Sequence, residues 1–213
     1  MKKIFLLAVT LLLLGGCAGI GTGLHDNLSV PAGKIEGNRF IGIRYPFSVS
    51  VPSDWKMSTD FPDFLSDYGY EGPSSTDKEV TELYAFDPAT QSSIQFDFTP
   101  ANRGAKFTQA SIEQLTEAGT ESLKSELEKE HGAGVVNVEV GPTERLSLKG
   151  VQFAAKKYVT YTMKGVKREQ GWIYGYSDPD QIFILYMILE KKGSNDRQDM
   201  KKILDSFEVT PKK

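Results

Sequence analysis

The segment from Ile182 to Leu189 constrains the fold most, because every one of its residues is apolar or aromatic. Its short length and its β-branched and aromatic residues predict a buried β-strand. A strand that is apolar on both faces must be covered on both faces, so it lies inside a sheet with a layer on either side. The rest of the chain must therefore supply two covering layers.

This strand and the three segments before it predict an antiparallel sheet built from hairpins. The four predicted strands are Val135–Leu148, Val151–Met163, Val166–Tyr176 and Gln181–Glu190. The first two links are Lys149-Gly150 and Lys164-Gly165, and glycine favours such tight turns because it adopts positive φ freely. Asp178-Pro179-Asp180 provides turn residues before the last strand. This half of the chain is therefore predicted to form one continuous meander.

Earlier in the chain, alternating residues predict three more strands. Phe47, Val49 and Val51 share one face of the first strand. Glu79–Asp87 and Ser92–Thr99 are predicted to pair as a hairpin.

Two segments have the spacing of amphipathic helices. The first begins at Thr108 or Ser111, runs to about His131 and is ended by Gly132. The second covers Ser194–Ser206. Together with the two-sided strand, they predict an α+β fold in which an antiparallel β-sheet is sandwiched between helices.

Two stretches resemble the PsbP-like domain. One is Tyr45–Pro52 running into Asp54-Trp55, and the other is Leu204–Val209 after the second helix. The resemblance covers about Arg39 to Val209 and implies a PsbP-like α/β/α sandwich. It also implies a binding or assembly module, and it brings no catalytic residues with it.

The amino terminus resembles the signal sequence and lipobox of a bacterial lipoprotein. Lys2 and Lys3 precede an uncharged run, which is followed by Leu14-Gly15-Gly16-Cys17, and Cys17 is the only cysteine in the chain. The resemblance implies that signal peptidase II recognises Leu14, Gly15 and Gly16. It also implies that diacylglycerol is attached to the Cys17 sulfur and that the new amino group is often acylated, for example with palmitate.

These features predict three regions. Residues 1–16 are the signal peptide, residues 17–38 are a lipidated, glycine-rich tether, and residues 39–213 are the folded domain. In a Gram-negative cell, Ala18 fits sorting to the outer membrane, with the domain facing the periplasm. Otherwise the expected location is the outer face of the plasma membrane.

The sequence gives little support for catalysis. One cysteine and two histidines, His25 and His131, cannot form a zinc site with the usual spacing, and no Gly-x-Ser-x-Gly elbow is present. The acylated Cys17 is excluded as a nucleophile. We therefore expect no metal, no cofactor and no enzyme activity. The formal net charge of −3 and the expected extracytoplasmic location argue against nucleic acid as a partner.

Two charged regions are candidates for binding a partner. In the first, an acidic loop, residues 60–79, contains four aromatic residues: Phe61, Phe64, Tyr68 and Tyr70. The second, residues 145–168, is basic and contains no acid. Strand alternation puts Lys156 and Lys157 on opposite faces, and Lys156 is the better candidate for exposure. The basic candidates are Lys156, Lys164, Lys167 and Arg168.

Three functions remain open on the sequence alone. The first is a non-catalytic, monomeric domain that binds or helps to assemble an envelope protein complex. The second is a receptor that binds a small ligand or cation through the acidic-aromatic loop 60–79. The third is a hydrolase whose catalytic residues follow no recognisable motif.

Overall fold

Two antiparallel sheets and two α-helices make up the computed structural model, which describes residues 29–68, 81–101, 104–132, 135–191 and 194–210. The strands are β1 Gly33–Glu36, β2 Arg39–Gly42, β3 Phe47–Ser50, β4 Lys56–Ser58, β5 Thr81–Phe86, β6 Ser93–Pro100, β7 Val135–Val140, β8 Glu144–Arg145, β9 Phe153–Met163, β10 Val166–Ser177, β11 Asp180–Glu190 and β12 Glu208–Val209. The helices are α1 Gln109–His131, α2 Asp196–Ser206 and a 3-10 helix, Asp63–Tyr68.

The predicted two-sided strand is β11, which lies inside the larger sheet. This sheet has the order β4-β5-β6-β11-β10-β9-β7, with β8 also paired to β9. Ile182 and Ile184 of β11 belong to one hydrophobic cluster, whereas Phe183 and Leu185 pack against a second cluster. The two faces of β11 therefore contribute to two different layers of packing, as its sequence predicts.

The smaller sheet and α2 cover one face of the larger sheet, which we call the small-sheet face. The smaller sheet has the order β1-β2-β3-β12. Phe40, Phe47 and Val49 point inward from it and join Met200 and Ile203 of α2 in the main core. The α+β class is confirmed, but the prediction that helices alone cover both faces of the sheet is wrong on this face. Here β2 and β3 form part of a second sheet, and α2 packs beside it.

Helix α1 and the 3-10 helix cover parts of the opposite face, which we call the α1 face. Leu123 and Leu127 of α1 pack in a cluster with Val159, Tyr161 and Trp172. The indole N–H of Trp172 donates a hydrogen bond of 2.8 Å to the backbone oxygen of Thr116, which fixes the helix on the sheet.

Local sequence signals explain where α1 and the main hairpin end. Of the two candidate caps, Thr108 caps α1: its Oγ1 accepts from the Ser111 backbone N–H at 3.1 Å, and Ser111 Oγ accepts from the Thr108 N–H at 2.9 Å. Gly132 follows the helix with φ +49°. Lys164 and Gly165 both have positive φ, as a tight two-residue hairpin turn between β9 and β10 requires.

The folded domain begins earlier than the sequence predicts. Strand β1 lies within the expected tether, residues 17–38, and pairs with β2. The guanidinium of Arg44 also donates hydrogen bonds to the backbone oxygen of Val30 at 2.9 and 3.0 Å. The boundary expected at residue 39 is therefore wrong by at least six residues.

Candidate interaction surface

The basic candidate residues separate between the two faces of the larger sheet. Lys156 pairs with Glu144 of β8 at 3.0 Å and is only half-exposed. Its neighbour Lys157 is buried on the α1 face, where its ammonium lies 2.7 Å from a carboxylate oxygen of Glu117. This hydrogen bond lowers the pKa of Glu117. Lys157 therefore joins α1 to the sheet, whereas the charge of Lys156 is already paired with Glu144 of the neighbouring strand.

Arg168 does not lie on the surface, which corrects its prediction as a partner-binding residue. It is 6% exposed, because strand alternation turns it to the α1 face together with Trp172. Lys167, its neighbour, points to the other face and lies 3.9 Å from Glu190, and Lys164 is exposed at the turn. Of the basic candidates, Lys164 and Lys167 remain exposed.

Phe61 and Phe64 of the acidic-aromatic loop pack onto the sheet, so their predicted role in binding a partner is not supported. The ring of Phe61 meets Tyr84 edge-on at 5.8 Å, and Phe64 contacts Phe86 at 5.1 Å. Both are half-buried and hold the 3-10 helix against β5. The side chain of Tyr68 and all of Tyr70 lie outside the described residues.

A row of half-buried aromatic residues crosses the α1 face between α1 and the 3-10 helix. Tyr174 and Phe183 are cross-strand neighbours whose ring centroids lie 4.9 Å apart. At one end, Tyr176 stacks on Phe107 at 4.5 Å, and Leu185 continues the row along β11. We call these five residues, Phe107, Tyr174, Tyr176, Phe183 and Leu185, the aromatic strip. Sequence reasoning missed it, although the period-2 geometry of a strand places Phe183 and Leu185 on one face of β11.

Asp97 borders the aromatic strip and is the most perturbed acid on the α1 face. It lies opposite Phe183 in the β6–β11 pairing. Gln95 Nε2 donates to its Oδ2 at 3.1 Å, whereas its buried Oδ1 has no hydrogen-bond partner among the described residues. Burial raises the pKa of Asp97 to about 6, although hydrogen bonds from Thr81 and Gln95 oppose the rise. The strip therefore has a carboxylate at its edge.

Glu82 is a second perturbed acid, and it belongs to the small-sheet side. Its carboxylate pairs with Arg44 at 2.8 Å, and both side chains are buried. Burial raises the pKa of Glu82 to about 7, and the positive charge of Arg44 only partly opposes this rise. Because Arg44 also binds Val30, this ion pair connects the amino-terminal segment to the core. Its evident role is structural.

The described residues contain no group of three histidine, cysteine or acidic residues that could hold a metal ion. A pocket behind the 3-10 helix is lined by residues such as Leu65, Tyr84 and Met187, and none of its lining residues is charged. His25, Cys17 and the lipobox residues Leu14, Gly15 and Gly16 lie outside the described residues, as does the His131 side chain. None of the described helices is long and apolar enough to span a membrane.

Comparison with solved structures identifies the fold class. The chain matches cyanobacterial PsbP (CyanoP) from Synechocystis sp. PCC 6803 with a TM-score of 0.53 and 12% identity, over 93% of this chain and 99% of that one. A Bacteroides thetaiotaomicron protein matches 84% of this chain and 50% of its own, at 10% identity and a TM-score of 0.49. The match to cyanobacterial PsbP shows that the chain has a PsbP-like fold. No family model matches the sequence, and no curated protein does.

Proposed function

We propose that the protein is a lipid-anchored accessory protein of a bacterial cell envelope, and that it binds a partner protein without catalysing a reaction. The observation that carries the proposal is the aromatic strip on the α1 face, beside Asp97 and away from the small sheet. The resemblance of the sequence to the PsbP-like domain, and the PsbP-like fold itself, support an accessory role.

The anchor is supported by the amino-terminal sequence. Leu14-Gly15-Gly16-Cys17 follows an uncharged run directly. One acyl chain holds a protein to a bilayer only weakly, whereas two or three hold it stably at about 0.8 kcal/mol per buried methylene. Diacylglycerol on Cys17 supplies two chains, so the domain stays on the membrane surface. Ala18 favours the periplasmic face of the outer membrane in a Gram-negative cell.

The aromatic strip has the composition of a protein-binding surface. Protein interfaces are enriched in tyrosine and phenylalanine, because rigid rings bury a large area at a small cost in side-chain entropy. Tyr174 and Phe183 are already partly ordered by mutual contact, so little freedom remains to be lost when a partner binds. Gln95 and Asp97 beside them add polar groups that favour a partner presenting hydrogen-bond donors.

Site-specific photocrosslinking in intact membranes tests the partner surface. A photoreactive phenylalanine analogue replaces Phe183 in the full-length protein, and the matched control carries it at Lys201, an exposed position on α2. We expect a discrete protein adduct from position 183 and none from position 201. Equal products at the two positions, or no adduct at position 183, would contradict the proposal.

Lipid labelling tests the anchor separately. Cells are grown with radioactive palmitate, and Cys17→Ala is compared with the wild type. We expect label in the wild type only, and accumulation of the precursor when signal peptidase II is inhibited. Equal labelling of the Cys17→Ala protein would exclude the lipobox.

A further inference from the structure

Exposed isoleucines concentrate where the chain enters the domain. Ile35, Ile41 and Ile43 are 44%, 38% and 46% exposed, and they account for three of the four large apolar side chains that are exposed in the described part of the chain. All three lie in β1, β2 or directly after β2. Ile35 is paired with the buried Phe40 and so lies on the opposite face of the hairpin from Ile41. Single exposed apolar residues are ordinary, but Ile41 and Ile43, two residues apart, leave an exposed apolar pair that calls for an explanation.

Strand alternation separates the inner and outer faces of the smaller sheet. Phe40 and Val49 are paired, completely buried and directed at the core. Lys34 and Ile41 are paired on the outer face, where Arg39 is also exposed. Ile41 is 38% exposed on this face. The outer face therefore presents Ile41 beside Lys34 and beside an Arg39 that is itself paired with Glu36.

The chain length limits how far this face can be from the lipid anchor. Fifteen residues, 18–32, separate Cys17 from β1. Whatever their conformation, they span at most about 55 Å, which is comparable to the diameter of the domain. Along the chain, β1 and β2 of the smaller sheet are the strands nearest to Cys17. The small-sheet face is therefore the side of the domain that the chain enters from the anchor.

The charges on this hairpin suit an anionic lipid surface. Lys34 and Arg39 are exposed, and Arg39 Nη2 donates to Ser48 Oγ at 3.0 Å, which holds its guanidinium against the outer face. Glu36 is the cross-strand partner of Arg39 on the same face, so Lys34, Arg39 and Glu36 together leave this face with one net positive charge. Cations near a membrane surface are attracted to anionic headgroups, and an isoleucine beside them can enter the interface.

We propose that the outer face of the smaller sheet rests on the lipid bilayer, with Ile41 and Ile43 in the headgroup region and Lys34 and Arg39 facing anionic headgroups. The inference rests on the proposed lipid anchor at Cys17. It defines an orientation: the aromatic strip lies on the opposite side of the larger sheet, so it faces away from the bilayer and remains accessible to a partner.

Fluorescence quenching in vesicles tests the orientation. Full-length acylated protein is reconstituted into phosphatidylethanolamine–phosphatidylglycerol vesicles at about 3:1. Acylation blocks Cys17, the only native cysteine, so the single cysteine of Ile41→Cys can carry an environment-sensitive fluorophore. The matched control is Ala118→Cys, which is exposed on α1. The quencher is a spin label attached to the lipid acyl chains.

We expect the fluorophore at position 41 to be quenched at least twofold more than the fluorophore at position 118. Replacing Ile43 with serine in the labelled protein should reduce that difference. Equal quenching at the two positions, in protein that floats with the vesicles, would overturn the orientation while leaving the anchor intact. Failure of the protein to float would overturn the anchor, and the orientation with it.

Discussion

The two faces of the larger sheet are both apolar in sequence, yet they are covered to different extents. On the small-sheet face, Ile182 and Ile184 are almost completely buried. On the α1 face of the same strand, Phe183 and Leu185 are half-buried. An apolar pattern therefore shows that a face needs a covering layer, but not whether the chain itself supplies all of that layer. The incompletely covered face is where a partner can add its own contacts.

The small-sheet face also contains the larger aromatic core. Phe96 stacks on Phe207 at 5.5 Å, and Phe47 stacks on Phe98 at 4.7 Å. These rings come from both sheets and from the residue after α2, so they join distant parts of the chain. The contacts on the α1 face are more local, because Leu123 and Leu127 pack on neighbouring strands of one hairpin. We expect most of the stability to come from the small-sheet side.

The largest difference in stability between the two faces should appear when one aromatic ring is truncated on each of them. Phe96→Ala removes a completely buried side chain, and such substitutions cost about 3–5 kcal/mol. Phe183→Ala removes a half-buried ring, for which we expect a loss of about 1 kcal/mol. Chemical denaturation of both variants measures the two free energies of unfolding. Similar losses at the two positions would show that the faces are equally well packed.

Glu82 and Asp97, the two acids with raised pKa values, should make stability fall as the pH rises. The pKa values of Glu82 and Asp97 are raised to about 7 and about 6 in the folded state, so the folded protein binds more protons than the unfolded chain. The free energy of unfolding should therefore decrease from about pH 4 to pH 6 because of Asp97, and to pH 7 because of Glu82, by on the order of 2–3 kcal/mol each.

Neutral variants separate these two contributions. Asp97→Asn should remove the part of the pH dependence below pH 6, and Glu82→Gln should remove the part that extends to pH 7. The measurement is a series of denaturation curves across this range. A wild-type stability that rises between pH 4 and 7, with slopes unchanged in both variants, would contradict the raised pKa values.

The two helices should respond differently to loss of their caps. Thr108 caps α1 through its side chain, so Thr108→Ala should lower stability by about 1 kcal/mol. Asn195 makes no side-chain capping hydrogen bond at the start of α2, so Asn195→Ala should cost less than about 0.5 kcal/mol. Thermal and chemical unfolding of the pair measures this contrast. A larger loss for Asn195→Ala would reverse the expected order.

The smallest effect should come from the remaining basic candidates. Lys164→Glu combined with Lys167→Glu should change the free energy of unfolding by less than about 0.5 kcal/mol, because both side chains are exposed. A loss above 1 kcal/mol would show that they support the fold. If the variant is stable but gives a lower adduct yield from position 183, the partner also contacts the end of the sheet at the β9–β10 turn.

Short-range sequence patterns predicted much of the fold. The parts that they did not predict depend on strands that are far apart in sequence. The main hairpin at Lys164-Gly165, the helix α1 and the two-sided strand β11 each follow from residues that are neighbours in sequence. The smaller sheet closes through Glu208 pairing with Ser48, and no local pattern encodes a pairing over that separation. The sequence therefore could not show that a sheet, rather than a helix alone, covers this face.

The candidate surface was harder to predict for a related reason. Alternation correctly separated Lys156 from Lys157, but it could not show that Glu144 lies beside Lys156. Arg168 is charged, so the sequence predicts that its side chain is exposed. In the structure it is buried on the α1 face. In sequence, Phe183 and Leu185 of the aromatic strip cannot be told apart from their buried neighbours, because the whole segment is apolar. Exposure depends on what covers a strand, and this coverage arises only from the assembled layers.

Parallel photocrosslinking on the two sides of the molecule tests the central claim most directly. The photoreactive residue is placed at position 41 or at position 183 of the full-length protein, in the same membranes, and the adducts are identified by mass spectrometry. We predict lipid adducts from position 41 and a protein adduct from position 183. A protein adduct from position 41, with lipid or no adduct from position 183, would contradict the account.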